Sequence, residues 1–228
     1  MKKVFHEDCM RYCIGDVRDR DRLTQAMSGG DYVIHAAALK QVPAAEYNPM
    51  ECIKTNVYGA ENVIQAALAK NVEKGIALST DKAANPINLY GATKLASDKL
   101  FVAANNIVGG GRTRFSVVRY GNVIASRGSV IPLFIDQIRK GEPITITDPC
   151  MTRFMMSLEQ AVDLVLFAFE NGNNGDIFVQ KAPAASIELL AETLKKILER
   201  PEHKIKVIGT RHGEKLYENL LTKEEMVK

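Results

Sequence analysis

The residues best suited to proton-transfer chemistry are concentrated in one stretch of sixteen, Ser79 to Lys94 (STDKAANPINLYGATK). Tyr90 and Lys94 are one helical turn apart, so in a helix their side chains project from the same face. An ammonium group beside a phenol favours the phenolate, which predicts a lowered pKa for Tyr90 and a role in moving protons near neutral pH. The Tyr-x-x-x-Lys spacing alone is common by chance, whereas this whole series of polar residues is much more specific.

A carboxylate and an ammonium group, Asp81 and Lys82, follow a short apolar run, Gly75 to Leu78, that is typical of a buried parallel strand. Open α/β sheets bind their ligands at the carboxyl ends of the strands, so Asp81 and Lys82 are placed where a ligand is expected. The alternative interpretation of this pair is a solvated turn.

Hydrophobic periodicity predicts strands and helices that alternate on both sides of this stretch. The predicted strands cover residues 11–16, 31–36, 74–78, 115–118, 143–147, 152–156, 177–180 and 204–208. The predicted helices cover 16–27, 49–68, 90–102, 130–140, 158–170, 186–200 and 214–221. Asn56 interrupts the apolar stripe of the second helix, and an asparagine within a helix often marks a bend.

The composition is that of an ordinary globular protein, with 46% hydrophobic and 25% charged residues in a chain of 228. A net charge of +3 is too small to indicate nucleic acid or an anionic membrane as a partner. No apolar run approaches the roughly 20 residues of a membrane span. The four cysteines form no C-x-x-C motif and have no histidine at zinc spacing, so we expect no metal site and free thiols in a reducing cytoplasm.

Several residues near predicted strand ends could bind a ligand, each with a simpler alternative. Asp16 could accept a hydrogen bond from an adenine amino group, or it could cap the helix that follows. Three alanines, Ala36 to Ala38, would let a flat or charged ligand approach the backbone, or they could form a tightly packed corner. Asn122 could bond a sugar or a phosphate. His35 is interpreted as a packed side chain and not as a general base.

Two arginines are candidates for binding phosphate. Arg127 precedes a predicted helix, and a helix amino terminus beside an arginine can bind a diphosphate; an ordinary serine cap is the alternative. Arg211 and Glu214 lie in the segment RHGEK, where the arginine could clamp a phosphate and the carboxylate could accept from ribose hydroxyls. The alternative for this segment is a charged turn that is merely solvated.

The chain resembles a known family in segments that follow one another in the expected order. These segments are HAAALKQVPAAEYNP, STDKAANPINLYGATK, VVRYGNV, SRGSVIP, MTRF and RHGEKL. They resemble the extended short-chain dehydrogenase/reductases that act on nucleotide sugars, and most nearly the inverting UDP-N-acetylglucosamine 4,6-dehydratases. The resemblance implies an α/β fold, a Rossmann-like doubly wound parallel sheet with a small α/β substrate-binding annex. Residues 1–140, with 158–180 returning, would form the cofactor domain, and 141–228 mostly the annex.

The resemblance also implies roles for individual residues, in a UDP-sugar dehydratase that uses NADP as a transient hydride carrier and assembles as a homo-oligomer. Tyr90, assisted by Lys94, would take the proton of the sugar 4-hydroxyl, Lys82 would be the base at C5, and Asp81 the acid at the departing 6-hydroxyl; Thr80 joins this catalytic set. Asn56 would support the active-site backbone. The implied cofactor-binding residues are Asp16, Val17, Ala36, Ala37, Lys40, Leu78, Ser79, Tyr90 and Lys94. The implied substrate-binding residues are Lys40, Asn122, Arg127, Val130, Arg211 and Glu214.

Two features divide the branches within this family. Tyr90 favours the branch of pseudaminic acid biosynthesis, because many capsule dehydratases carry Met there, whereas QKAPAAS near 180–186 resembles the capsule branch. Retaining dehydratases carry Asp-Glu where this chain has Asp81-Lys82. A retaining dehydratase or a C4 epimerase of the same fold remains an alternative.

The chain departs from the family pattern at its beginning. A dinucleotide-binding domain normally opens with a strand, a G-x-G-x-x-G turn and a helix, and this sequence contains no such motif. We therefore expect the first βαβα unit to be missing, and the strands at 11–16 and 31–36 to expose the edges between which the first strand would lie. This makes an inactive fragment, or a remnant that binds a partner, a further alternative.

Overall fold

The computed structural model describes residues 9–124, 126 and 128–227. Four parallel strands form its main sheet in the order β1–β2–β3–β7, with β1 at Tyr32–His35, β2 at Lys74–Thr80, β3 at Arg114–Tyr120 and β7 at Ile177–Val179. The register brings the carboxyl ends of the first three strands together, because His35 pairs with Ala77 and Thr80 with Tyr120. The predicted Rossmann-like parallel sheet is confirmed.

Helices cover both faces of this sheet. The α-helices of the described residues are α1 (Arg20–Ala26), α2 (Val42–Tyr47), α3 (Pro49–Ile53), α4 (Gly59–Ala69), α5 (Leu89–Ala104), α6 (Val130–Lys140), α7 (Leu158–Asn171) and α8 (Ile187–Ile197). Ala77 and Val117 pack on one face against α4 and α5, whereas Ile76 and Val118 pack on the other face against α7. This alternation is the two-residue period of a sheet that is buried on both sides.

A smaller region follows β3. It contains β4 (Asn122–Val123), β6 (Thr152–Met156) and β8 (Ala184–Ser186) in one sheet, and β5 (Ile144–Ile146) paired in parallel with β9 (Ile205–Val207). Its core is formed by α6, α8 and β5, with Phe134, Ile144 and Ala191 completely buried. The short strands β4 and β8 were not predicted, because two or three residues show no periodicity.

The predicted strand at 11–16 is wrong. These residues are extended without strand pairing, and the side chain of Ile14 is 93% exposed. A strand forms only where a neighbouring strand can bond its backbone groups. Within the described residues β1 is an edge strand that pairs only with β2, so residues 11–16 have no strand beside them. Tyr32 and Ile34 on β1 are accordingly more than half exposed, as expected for an uncovered edge.

The predicted helix at 214–221 is also wrong. Residues 209–224 are turns and irregular backbone, followed by a 3₁₀ turn at Glu225–Val227. Long-range contacts hold this C-terminal segment, including Lys215 Nζ to the Ala84 carbonyl at 2.6 Å and Arg119 to the Leu220 carbonyl at 3.0 Å. Both bonds tie the segment to distant parts of the chain, which local sequence periodicity does not encode.

Within 9–124, 126 and 128–227, no helix has the length and apolar character needed to cross a bilayer. The same residues contain no group of three or more His, Cys, Asp or Glu side chains arranged to hold a metal ion.

Candidate active site

A cavity of about 440 Å³ lies at the carboxyl ends of β1, β2 and β3. It brings together nine of the predicted site residues, namely Ala36, Lys40, Leu78, Ser79, Thr80, Lys82, Tyr90, Lys94 and Asn122. Tyr120, Gly121 and Ser126 also line this cavity. The loop after β1, the ends of β2 and β3 with the residues that follow them, and the start of α5 supply these groups. The carboxyl ends of the strands are where open α/β sheets bind ligands.

The start of α5 fixes the position of Tyr90. The Asn88 side chain caps the helix by accepting a hydrogen bond from the Gly91 amide at 2.8 Å, so Tyr90 lies in the first turn. A Cβ added at Gly91 would lie 2.4 Å from the Lys82 carbonyl oxygen. Glycine therefore allows the helix to begin directly against the turn that carries Asp81 and Lys82.

Lys94 is buried beneath Tyr90, with 3% of the residue exposed. Its Nζ donates a hydrogen bond to the Leu78 carbonyl at 2.7 Å, which ties α5 to the end of β2. Burial lowers the pKa of Lys94, and the carboxylate of Asp98, one turn further along the helix, opposes this shift.

The predicted lowering of the Tyr90 pKa is wrong for this structure. Burial raises the pKa of Tyr90 to about 12, although a hydrogen bond with Thr80 acts in the opposite direction. Because Lys94 bonds to a backbone carbonyl, its ammonium group does not offset the desolvation of the phenol. Tyr90 is therefore a neutral phenol at neutral pH in this structure.

Asp81 and Lys82 form a buried ion pair and not a solvated turn. Asp81 is fully buried, and its Oδ1 accepts hydrogen bonds from Lys82 Nζ and from the Thr80 hydroxyl, both at 2.9 Å. Its Oδ2 is buried without a hydrogen-bond partner, whereas Lys82 keeps 28% of its side chain exposed and lines the cavity. A buried polar atom without a partner is uncommon in folded proteins.

Asn56 explains the interruption predicted within the second helix. Residues Lys54–Tyr58 form a π-helical turn between α3 and α4, and such turns are frequent at functional sites. The Asn56 side chain accepts from the Leu39 amide at 2.7 Å and donates to the Leu39 carbonyl at 2.9 Å and the Thr93 hydroxyl at 3.0 Å. It thereby joins the loop after β1 to α5, which carries Tyr90.

A second cavity of about 490 Å³ adjoins the first, and Asn122, Gly128 and Ser129 line both. Val130 and Arg211 lie in its wall, together with Arg153. Asn122 Oδ1 and Ser129 Oγ are buried without hydrogen-bond partners near the junction. The first cavity thus holds Lys82, Tyr90 and Lys94, and the adjoining second cavity holds Arg153 and Arg211.

Some predicted binding residues do not line either cavity. Asp16 is exposed and accepts hydrogen bonds from Arg18 at 2.8–3.0 Å, which lowers the pKa of Asp16 to about 2. Asp19, not Asp16, caps α1. Val17 contacts Gly59, and its carbonyl accepts from Asn62.

Four further predicted residues have different outcomes. Ala37 is not among the residues that line the two cavities, and Glu214 accepts a hydrogen bond from the Arg211 amide at 3.3 Å instead of facing a cavity. Arg127 lies outside the described residues. His35 is packed as predicted: it stacks on Phe101 at 5.6 Å, and burial lowers its pKa to about 4.

Two sets of buried charged groups, one of which contacts Lys82, were not identified from the sequence. Arg119 is completely buried and pairs with Asp98 at 2.9 Å and with Glu225 at 2.8 Å. Glu218 is 7% exposed and lies between Lys82 and Lys215. The position of Asp98 four residues after Lys94 could have indicated a partner, whereas the chain distance from Glu218 to Lys82 gives no signal.

Curated relatives span more than this chain. A UDP-N-acetylglucosamine 4,6-dehydratase (inverting) from Campylobacter jejuni is 58% identical over 226 residues, which are 99% of this chain and 66% of the relative. A UDP-glucose 4-epimerase from Rickettsia massiliae is 56% identical over 228 residues, which are all of this chain and 67% of the relative. The chain thus spans about two thirds of the length of the curated relatives it matches.

Solved structures share the fold. The crystal structure of Pen from Bacillus thuringiensis superposes with a TM-score of 0.94 at 43% identity, over 99% of this chain and 72% of that one. DesIV, a dTDP-glucose 4,6-dehydratase from Streptomyces venezuelae with NAD bound, superposes with a TM-score of 0.87 at 21% identity, over 96% of this chain and 73% of that one. The profile of the family described as polysaccharide biosynthesis protein matches residues 1–228, and the chain belongs to that family.

Proposed function

We propose that this chain carries the acid–base centre of an inverting UDP-N-acetylglucosamine 4,6-dehydratase that makes a sugar for bacterial surface glycans. The observation that supports this most directly is the meeting of two reactive pairs at one cavity. Tyr90 and Lys94 enter from α5, and Lys82, paired with Asp81, enters from the end of β2. The curated relative of that name is 58% identical to the chain.

The cofactor we propose is NADP, with NAD as the second candidate. Small side chains, Ala36 and Ala38, line the cavity beside Leu78 and Ser79, so that a flat ring can approach the backbone. The buried Lys94 is suited to hold a ribose hydroxyl near Tyr90. When bound there, the nicotinamide ring would accept a hydride from C4 of the sugar and return it to C6.

The proton transfers are assigned to this chain's own residues. Tyr90 is assigned the removal of the proton of the sugar 4-hydroxyl; because burial raises its pKa to about 12, this role requires an interaction in the complex that favours the phenolate. Lys82 takes the proton from C5, which the 4-keto group makes acidic. For these two steps the proton of the ion pair must first pass from Lys82 Nζ to the Asp81 carboxylate, 2.9 Å away, which leaves Lys82 neutral as the base and Asp81 protonated as the acid. Asp81 then protonates the departing 6-hydroxyl; it is fully buried, and its neighbours Thr80 and Lys82 line the cavity.

We place the nucleotide of the substrate in the second cavity. Arg211 and the amino end of α6 at Val130 face a site for the diphosphate, and Asn122 lies between that site and Tyr90. The annex we propose for substrate binding is mostly residues 141–228. We also propose that the enzyme is a homo-oligomer and that it acts on its UDP-sugar in the cytoplasm.

The test is incubation of the chain with UDP-N-acetylglucosamine and NADP⁺ in deuterated water, followed by proton NMR. The expected product is the 4-keto-6-deoxy sugar, inverted and deuterated at C5. Lys82→Ala should lower the rate of dehydration by about 10²–10⁴-fold, the usual contribution of a general base. Lys140→Ala, which changes an exposed lysine on α6, is the matched control and should keep the parental rate.

Other products would contradict the proposal in distinguishable ways. Retention of configuration at C5 would indicate a retaining dehydratase. A C4 epimer formed without loss of water would indicate an epimerase, the activity in the name of the Rickettsia relative. If no product forms, calorimetry with NADP⁺ decides the next step, because absence of binding would support a remnant that does not act as an enzyme by itself.

A further inference from the structure

The C-terminal segment carries a buried carboxylate that the proposed chemistry does not use. Glu218 is 7% exposed, and its side chain is 3% exposed. Its Oε1 lies 3.7 Å from Lys82 Nζ, and its Oε2 lies 3.6 Å from Lys215 Nζ. A carboxylate is rarely buried to this extent unless it is paired with a cation, so its place between two ammonium groups requires a reason.

Hydrogen bonding does not supply that reason. Glu218 Oε2 is buried without a hydrogen-bond partner, and both ammonium groups lie beyond hydrogen-bond distance. Lys215 is instead bonded to the Ala84 carbonyl, at the end of the turn that carries Lys82. The carboxylate is thus held by charge, and Lys215 ties the segment that carries it to the catalytic turn.

Lys82 is consequently placed between two carboxylates on different parts of the chain. Asp81 Oδ1 holds its Nζ at 2.9 Å from the neighbouring position in sequence, and Glu218 attracts it from a segment 136 residues further along. With Asp81 alone, the flexible lysine could rotate into the cavity or fold back over its own turn. A second negative charge, carried by another segment of the chain, restricts the directions that the side chain can take.

We propose that Glu218 is a positioning residue for Lys82, so that the C-terminal segment sets the direction in which this lysine meets the substrate. This deepens the proposed function, since it assigns a support to the base at C5. Glu218 itself lies beneath the lysine and takes no proton from the sugar. It also keeps Lys82 from binding Asp81 through both carboxylate oxygens, which leaves Oδ2 free.

The first test observes Lys82 directly by ¹H–¹⁵N NMR of the lysine ammonium groups, with the resonance assigned by Lys82→Met. Glu218→Gln, which keeps the size but removes the charge, should displace the Lys82 resonance and leave that of the exposed Lys140 unchanged. Glu224→Gln is the matched control, because it alters an exposed glutamate in the same segment. Glu218→Asp withdraws the charge by one methylene, should give a smaller displacement, and decides the question if Glu218→Gln does not fold.

The second test is a double-mutant cycle with Lys82→Met and Glu218→Gln, read by denaturant unfolding. Direct interaction predicts a coupling of about threefold to tenfold in the unfolding equilibrium constant. If the chain turns over substrate, Glu218→Gln should also lower kcat by about tenfold or more, because a small misplacement of a reacting group is costly, and leave KM unchanged.

An unchanged Lys82 resonance in both Glu218 variants, or a coupling of zero, would overturn the proposal. Neither measurement requires turnover. A chain that makes no product but shows the displaced resonance would therefore refute the proposed function and keep the positioning role. A chain that makes the inverted product with no coupling between Lys82 and Glu218 would do the reverse.

Discussion

Two arginines in this protein each join two carboxylates with nearly identical geometry. Arg119 lies 2.9 Å from Asp98 and 2.8 Å from Glu225, and Arg18 lies 2.8 Å from Asp16 and 2.9 Å from Glu51. The Arg119 side chain is fully buried, whereas that of Arg18 is 46% exposed. From the distances alone, the two clusters would be expected to contribute equally to stability.

The difference in burial gives the carboxylates of the two clusters opposite pKa shifts. The pKa of Asp98 is raised, because desolvation outweighs its contacts with Ser79 and Arg119, whereas the pKa of the exposed Asp16 falls to about 2 beside Arg18. A charge in the interior cannot be solvated by water if its partner is lost, and an exposed one can. We therefore expect the Arg119 cluster to determine stability and the Arg18 cluster to be nearly neutral.

The largest expected effect is that of Arg119→Met. It leaves Asp98 buried without its cation and should lower the free energy of unfolding by about 3–5 kcal/mol, measured by urea denaturation. The same substitution at the exposed arginine, Arg18→Met, is the control. Equal losses of stability in the two variants would contradict the comparison.

A smaller effect is expected for Glu225→Gln, which removes one carboxylate and leaves the Arg119–Asp98 pair in place. The loss should be about 1.5–3 kcal/mol, the usual range for a hydrogen bond to a charged group. Hydrogen exchange should rise in residues 215–227, because Arg119 joins Glu225 and the Leu220 carbonyl to the sheet. Exchange rising equally throughout the protein would show that the cluster does not act on this segment.

The pH dependence of stability refines the comparison further. Burial opposes ionisation of Glu225, but hydrogen bonds from Arg119 and the Thr222 backbone outweigh it and hold its pKa below the ordinary value of 4.5. A lowered pKa in the folded state gives stability that is present above pH 4.5 and is lost as the pH falls below it. Asp98 shifts in the opposite direction and partly compensates.

Stability measured between pH 6 and pH 3 should therefore fall less steeply in Glu225→Gln than in the parental chain. Glu224→Gln, at an exposed position, should keep the parental slope. Identical slopes in all three proteins would show that the buried cluster does not contribute to the loss of stability in acid.

The smallest effect is expected for Arg18→Met. Its ion pairs with Asp16 and Glu51 are exposed and screened by salt, so the unfolding midpoint should stay within experimental error of the parental chain. A clear loss of stability that disappears in 1 M salt would mean that the exposed cluster contributes more than its burial implies.

The local sequence predicted the junction between β2 and α5 well, because its elements are adjacent in the chain. An apolar strand, an Asp-Lys pair and an Asn-capped helix with Tyr90 and Lys94 can be identified from periodicity and capping residues alone. The same signals gave β3, α6 and β6 within a few residues. They failed at 11–16, where a strand pattern lacks a pairing neighbour among the described residues, and at 214–221, where long-range bonds replace a helix.

The candidate site was predictable only in part. Residue type and position indicated Lys82, Tyr90 and Asn122, and the family resemblance added Lys40 and Thr80; all five line one cavity. The sign of the Tyr90 shift was not predictable, because it depends on burial and on the Leu78 carbonyl that binds Lys94. Asp16 lines neither cavity, and its carboxylate accepts a hydrogen bond from Arg18, two residues away.

The sequence by itself determined the kind of sheet, the position of the junction between β2 and α5, and the residue types available there for proton transfer. These features depend on residues close together in the chain, because apolar residues repeat every two positions in a strand and about every 3.6 positions in a helix. Only the tertiary structure decided which distant charges meet: Glu218 with Lys82, and Glu225 with Arg119. Desolvation fixes what each charge does there, and burial depends on the packing of the whole chain.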